Sequence, residues 1–174
     1  MYNVLQRISS VTSFGLSALM AMMFAISIIT INMSNNPDIS VKLHDIKITK
    51  GRPDYFDKTS RNAEFARLTF DIDADLSSMF NWNTKQLFAY ITVDYPTAKK
   101  KNNNVVIWDR IITKKQRSTL RMRKHHNKYL FRDIGLKLRD VEGAKLTFRV
   151  NSVPYFGIMQ DQVLDSYDIT MPQI

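Results

Sequence analysis

The sequence predicts a mainly β protein: one N-terminal transmembrane helix followed by an antiparallel, sandwich-like β domain. Three observations predict it. Val11–Ile31 (VTSFGLSALMAMMFAISIITI) carries no charged residue, and the charge-free run extends from Ile8 to Pro37. After it, several short segments alternate apolar and polar residues with the period of two expected of half-buried strands. No long amphipathic helix follows the apolar run, so nothing is available to cover a parallel sheet.

The organisation follows in chain order. Residues 1–10 form a short polar head with one side-chain charge, Arg7. Residues 11–31 form the span, about 31 Å long at ~1.5 Å per residue, close to the thickness of a bilayer's hydrocarbon core. Its apolar side chains, Val11, Phe14, Leu16, Leu19, Met22, Phe24, Ile28 and Ile31, are the candidate membrane anchor. The run is longer than the ~7–15 apolar residues of a cleavable signal. A small-x-small pair at Ala25 and Ser27 would, if cut, leave Ile28–Ile31 on the mature end. An uncleaved signal anchor is therefore favoured over a cleaved signal. It is also favoured over a buried core helix, which would normally keep a polar face. Flanking charge does not decide orientation: Arg7 stands on one side, Lys42, Lys47 and Lys50 on the other, and long domains translocate largely regardless of charge.

Residues 32–174 are long enough for one domain with its own core. Ile39–Thr49 alternates, with Val41 and Leu43 on one face and a bulge expected near Asp45, before Ile46 and Ile48. Gly51–Asn62 is a polar connection containing Pro53. Glu64–Leu76 places Ala66, Leu68, Phe70, Ile72, Ala74 and Leu76 on one face, and Thr69, Asp71, Asp73 and Asp75 on the other. Ser77–Thr84 breaks the pattern as a turn. Gln86–Tyr95 resumes it with Leu87, Ala89, Ile91 and Val93 inward. Pro96 and Lys99–Asn104 read as an exposed loop, and Val105–Thr113 as a strand around Trp108. Leu120–His125 and Tyr129–Arg132 read as short strands, paired as a hairpin. Lys145–Val153, with Leu146, Phe148 and Val150 inward, and Val163–Met171 complete the set.

Composition excludes several chemistries. The chain has no cysteine, so it forms no disulfide, thiolate metal site or cysteine nucleophile. Neither His44 nor the pair His125–His126 falls in a metal-binding spacing, and neighbours on a strand point to opposite sides. Asp71, Asp73 and Asp75 offer an oxygen-rich face to a hard cation, but a solvated strand face, or a match for basic residues on the next strand, explains them as well. No nucleophile elbow, phosphate loop or dinucleotide fingerprint is present. No catalytic residue, metal or cofactor is expected. The formal net charge is +9. Its excess lies in Lys99, Lys100, Lys101, Arg110, Lys114, Lys115, Arg117, Arg121, Arg123, Lys124 and Lys128, which face only Asp109 in that segment. A solvated basic face is the favoured reading of this surface, and the alternative is a contact with lipid headgroups or an acidic protein partner. Aromatic interleaving is too thin there to suggest nucleic acid. Asn32-Met33-Ser34 is a formal glycosylation sequon, but it abuts the span and is read as chance.

The stretch LTFDIDADLSSMFNWNTKQLFAYITVDY (Leu68–Tyr95) resembles the signature of the signal peptidase complex subunit 3 family. The residues that carry the resemblance are Phe70, Asp71, Ala74, Asp75, Leu76, Phe80, Trp82, Asn83, Lys85, Gln86, Leu87, Phe88 and Tyr95. VVIWDRII (Val105–Ile112) is similar to that family's second block, and NSVPYFGIM (Asn151–Met159) to its third. The resemblance implies a non-catalytic, single-pass type II subunit in the endoplasmic reticulum membrane, with the β domain, 32–174, in the lumen. It implies as partners a catalytic subunit and smaller membrane subunits, with nascent secretory chains met indirectly as their signal peptides are removed. Many relatives carry a sequon before the third block; here Glu142-Gly143-Ala144-Lys145 has none. Phe80, Trp82 and Asn83 are the candidate partner contact. The alternative for the aromatics is an anchor in the domain's own core, which is the favoured reading for Trp82. Two rival functions remain at this level: a tethered lumenal or extracellular binding domain outside any such complex, and a membrane-bound hydrolase.

Overall fold

The computed structural model describes residues 3–31, 33, 36–51, 63–97, 102–132, 138 and 141–172. Among the described residues one α-helix, α1, runs from Val4 to Ile31, and no residue of it is buried. It therefore begins inside the segment read as a head, because nothing from Val4 onward breaks a helix. The apolar anchor residues from Val11 to Ile31 are all exposed, which rules out a core helix. Hydroxyls on α1 bond back within the helix. Ser10 Oγ donates to Gln6 O at 3.0 Å, Ser17 Oγ to Ser13 O at 2.9 Å and Thr30 Oγ1 to Ile26 O at 2.8 Å. This is how an apolar span carries such groups without a water partner.

Among the described residues seven strands follow: β1 (Asp38–Gly51), β2 (Ala63–Asp75), β3 (Thr84–Tyr95), β4 (Asn103–Ile112), β5 (Thr119–His126), β6 (Ala144–Pro154) and β7 (Gln160–Ile169). They form two antiparallel sheets, of order β1-β2-β5 and β4-β3-β6-β7. The alternation read from sequence decides which faces meet. Leu68, Phe70, Ile72 and Ala74 of β2 are fully buried, as are Leu87, Ala89, Ile91 and Val93 of β3; Leu146, Phe148 and Val150 of β6 join them in one core. Fully burying one such large side chain contributes roughly 1.5–3 kcal/mol, so the shared face holds the two sheets together.

Bulges adjust the register. His44 is the extra residue in β1, between Leu43 and Asp45, as the spacing predicted. In β4 a shift opposite Ile91 and Thr92 leaves Ile107 and Trp108 buried in succession, a break in alternation that the sequence did not reveal. The Ile107 carbonyl accepts from the backbone N–H groups of Lys128 and Tyr129, at 2.8 and 3.0 Å. That bond ties the sheets together. It also corrects the expected hairpin of Leu120–His125 with Tyr129–Arg132. The chain instead continues along the edge of β2, where Phe131 bridges Ala66 and its ring is buried. Asn103 and Asn104 belong to β4 rather than to a loop. Lys99–Lys101, the connection 52–62 with Pro53, and both Asn32 and Ser34 of the sequon lie outside the described residues.

Candidate functional site

Register decides which loops share an end of the sandwich. In the small sheet Asp38 pairs with Asp75, and Asp75 with Thr119. In the large sheet Thr84 pairs with Pro154, Leu87 with Ile112 and Ser152 with Gln160. The chain enters β1 from α1 at this same end. Three segments therefore gather beside the end of the helix: the β2–β3 turn, the β4–β5 loop and the β6–β7 loop.

The β2–β3 turn crosses from one sheet to the other. Ser77–Met79 forms one turn of 3-10 helix. Asp75 Oδ1 accepts from the Ser77 N–H at 2.9 Å, which holds its pKa below the usual carboxylate range. Met79 is buried, and Phe80 packs partly buried against the core. Trp82 is 62% exposed. The reading of Trp82 as a core anchor is thus corrected: the polar residues Asn81 and Asn83 on either side turn the backbone, and the indole projects outward.

Asn83 is also placed differently from a surface contact, being only 1% exposed. Its amide nitrogen donates to Phe156 O at 2.8 Å and to Thr30 Oγ1 at 3.1 Å. Its Oδ1 accepts from the Phe156 N–H at 3.1 Å, and its carbonyl from the Tyr155 N–H at 2.8 Å. One side chain thus joins the β2–β3 turn, the β6–β7 loop and the last turn of α1. Thr30 Oγ1 donates within the helix and accepts from Asn83, so its donor and one of its two acceptor sites are used. Beside it, a Cβ on Gly157 would lie 2.6 Å from Ser27 Oγ, and Gly157 has φ +112°. Only glycine meets both demands. The space left in this joint is about 10 Å³, room for at most one water. The first and third blocks of the resemblance therefore meet at the end of the anchor. Thr30 and Gly157 were not singled out from sequence. A hydroxyl in the last turn of an apolar span, and a glycine within an aromatic loop, were the available signals.

The outer face of the small sheet is an ion-pair surface. Asp71 Oδ1 accepts from the Lys124 N–H at 2.6 Å, and Oδ2 lies 2.7 Å from His44 Nε2 and 3.5 Å from an Arg123 nitrogen. These contacts, the Lys124 N–H first, hold the Asp71 pKa down at about 2. The Lys124 contact arises at a bulge, where Arg123 and Lys124 together stand opposite Asp71 and Lys124 has φ 48°. Arg123 also bonds Asp73 at 3.1 Å, and Arg121 lies 3.8 Å from it. The carboxylates match the cations of the next strand, which accounts for their spacing. Lys128 pairs with Asp109 at 2.6 Å, which lowers the Asp109 pKa. His126 Nδ1 lies 3.1 Å from Thr69 Oγ1, while His125 meets the edge of Phe70, so the two rings take separate partners. Among the described residues no three His, Asp or Glu side chains gather as a metal site.

An apolar helix joined by a hydrogen-bonded seat to a two-sheet sandwich defines a class: a β domain carried on a helix long and apolar enough to cross a membrane. The chain belongs to the signal peptidase subunit family, whose model matches residues 1–174. It is 31% identical over 172 residues to signal peptidase complex subunit 3 of Dictyostelium discoideum, covering 99% of this chain and 95% of the relative. It is 34% identical over 159 residues to the human protein of that name, covering 91% and 87%. With the Drosophila melanogaster protein it shares 31% over 159 residues, covering 91% and 88%.

Proposed function

We propose that the chain is a non-catalytic accessory subunit of the signal peptidase complex, the assembly that removes signal peptides from nascent secretory and membrane proteins. It would sit in the endoplasmic reticulum membrane as a type II protein, with α1 as signal anchor and the sandwich in the lumen. Its partners would be the catalytic subunit and the small membrane subunits, with membrane lipid around α1. It would reach nascent chains only through them, with no cofactor and no nucleic acid. The observation that carries this reading is the family match along the whole chain, 1–174. The joint of Asn83, Thr30 and Phe156 supports it physically. It ties the sandwich to the end of α1, which would hold it at the bilayer surface, and confinement there would raise the effective concentration of the domain for a membrane-embedded partner.

Affinity purification of the tagged full chain in mild detergent tests the assignment. Recovery of the catalytic subunit is expected, and recovery of no signal peptidase subunit would reject it. The purified chain alone should leave a signal-peptide substrate uncut; cleavage would reject the accessory role. In sealed microsomes the sandwich should resist added protease, and its digestion would reject the lumenal placement.

A further inference from the structure

The end of the sandwich that seats α1 has a surface chemistry unlike the rest of the domain. Trp82, Tyr155, Phe156, Ile158 and Met159 are all exposed there. No charged residue occurs between Val153 and Gln160, or from Leu76 through Thr84. The β6–β7 loop is level with the apolar helix, because Gly157 stands against Ser27, four residues before the end of α1. That places the loop about 6 Å inward of Ile31 along the helix axis. On the same end, the β4–β5 loop exposes Lys114, Lys115 and Arg117. Unlike Arg121, Arg123 and Lys128 beside them in sequence, these three make no ion pair among the described residues.

We propose that this end of the domain rests in the surface of the bilayer that α1 crosses. The aromatic and aliphatic side chains enter the boundary between headgroups and acyl chains, and Lys114, Lys115 and Arg117 lie over lipid phosphates. The occupant is the membrane leaflet itself, because a helix seated in the joint cannot enter the bilayer without carrying the β6–β7 loop to the same depth. Tryptophan and tyrosine favour that boundary, since their rings are apolar at one end and polar at the other. The exposed cations of this loop match headgroup phosphates, Lys115 being shared with the nearby Asp75. The proposal rests on the reading that α1 spans a bilayer.

The test uses native fluorescence. The chain has two tryptophans: Trp82, exposed, and Trp108, buried at 3%. Full-length chain carrying Trp108→Phe is reconstituted in vesicles of phosphatidylcholine and phosphatidylserine, about four to one, whose upper acyl chains are brominated. If that variant does not fold, the difference between the wild type and Trp82→Phe isolates the same signal. Trp82 should lose about half of its emission to the bromines, as expected of an indole at the interface. The loss should be smaller in pure phosphatidylcholine and at about 1 M salt, where screening falls to about 3 Å. Replacing Lys114, Lys115 and Arg117 together by Gln should remove that dependence on anionic lipid. A second probe, Phe24→Trp in a background lacking both native tryptophans, reports the span. Quenching at Phe24→Trp without quenching at Trp82 leaves the span standing and overturns the proposal. Quenching at neither overturns both. The purified complex, reconstituted in the same vesicles, should also show Trp82 quenched; an unquenched Trp82 there would mean that a protein covers this end, and would overturn it.

Discussion

Replacing Asn83 by Ala removes three side-chain hydrogen bonds at once: to Phe156 O, from the Phe156 N–H, and to Thr30 Oγ1. Each contributes about 0.5–1.5 kcal/mol net, and a polar group stranded in a buried place costs about 1–3 kcal/mol more. Phe156 is itself exposed, so water can replace part of what it loses. The expected loss is therefore about 1.5–3 kcal/mol, the lower part of the range that the three bonds alone would give. Asn83→Asp should cost at least as much at neutral pH, although it is nearly the same shape. It keeps the bond from the Phe156 N–H but sets a carboxylate against the Phe156 carbonyl. Thr30→Val removes the bond from Asn83 and also the Thr30 Oγ1 bond to Ile26 O; the second adds little because that carbonyl keeps its helical N–H, so the cost should be about 0.5–1.5 kcal/mol. Combining Thr30→Val with Asn83→Ala should then fall short of additivity by about 0.5–1 kcal/mol, because both delete one shared bond. The assay is urea unfolding of the full chain in detergent micelles, followed by the emission of Trp108 in the core. An Asn83→Ala variant that unfolds within about 0.5 kcal/mol of the wild type would refute the reasoning. So would full additivity with Thr30→Val.

Three further outcomes are expected. Asp71 has its pKa lowered from 3.8 to about 2 on folding, so its contribution is fully present above pH 3.8 and is lost as pH falls towards 2. Acid unfolding of Asp71→Asn, followed by circular dichroism, should show a flatter limb across that window, together with lower stability at neutral pH. Gly157→Ala should destabilise by about 1–3 kcal/mol through its positive φ and its clash with Ser27, and Ser27→Gly should restore the steric part alone, as read by thermal unfolding. Phe148→Ala empties a fully buried site between the sheets and should cost about 3–5 kcal/mol in the same measurement.

Where side chains follow a period, the sequence was a good guide. β2 and β3 bury the residues their alternation assigned, because a sheet with one covered face permits no other register. The bulge after Leu43 was legible because the apolar pattern there slips by one residue. The fate of Trp82 was not legible. A turn has no period, and an indole in a turn reads the same whether it faces the core or the outside. Asn83 was picked out by family resemblance, but its role depends on Thr30 and Phe156, 53 and 73 positions away. Nothing local announces such contacts. Phe131 misled in a related way: a short β-prone run after β5 reads as the second arm of a hairpin. Only the carbonyl of Ile107 and the edge of β2 explain why the chain runs straight on.

Because Asn83 grips the last turn of α1, the helix and the sandwich turn as one piece, with the helix as the long arm of a lever. A helix longer than the hydrocarbon it crosses relieves the mismatch by tilting. The apolar run of α1, residues 11–31, is about 31 Å against a core of about 30 Å, so a thinner bilayer would leave it over-long. With α1 read as the proposed membrane span, tilt of the arm would become lean of the sandwich, and the thickness of the surrounding bilayer would set the attitude at which the domain meets its neighbours.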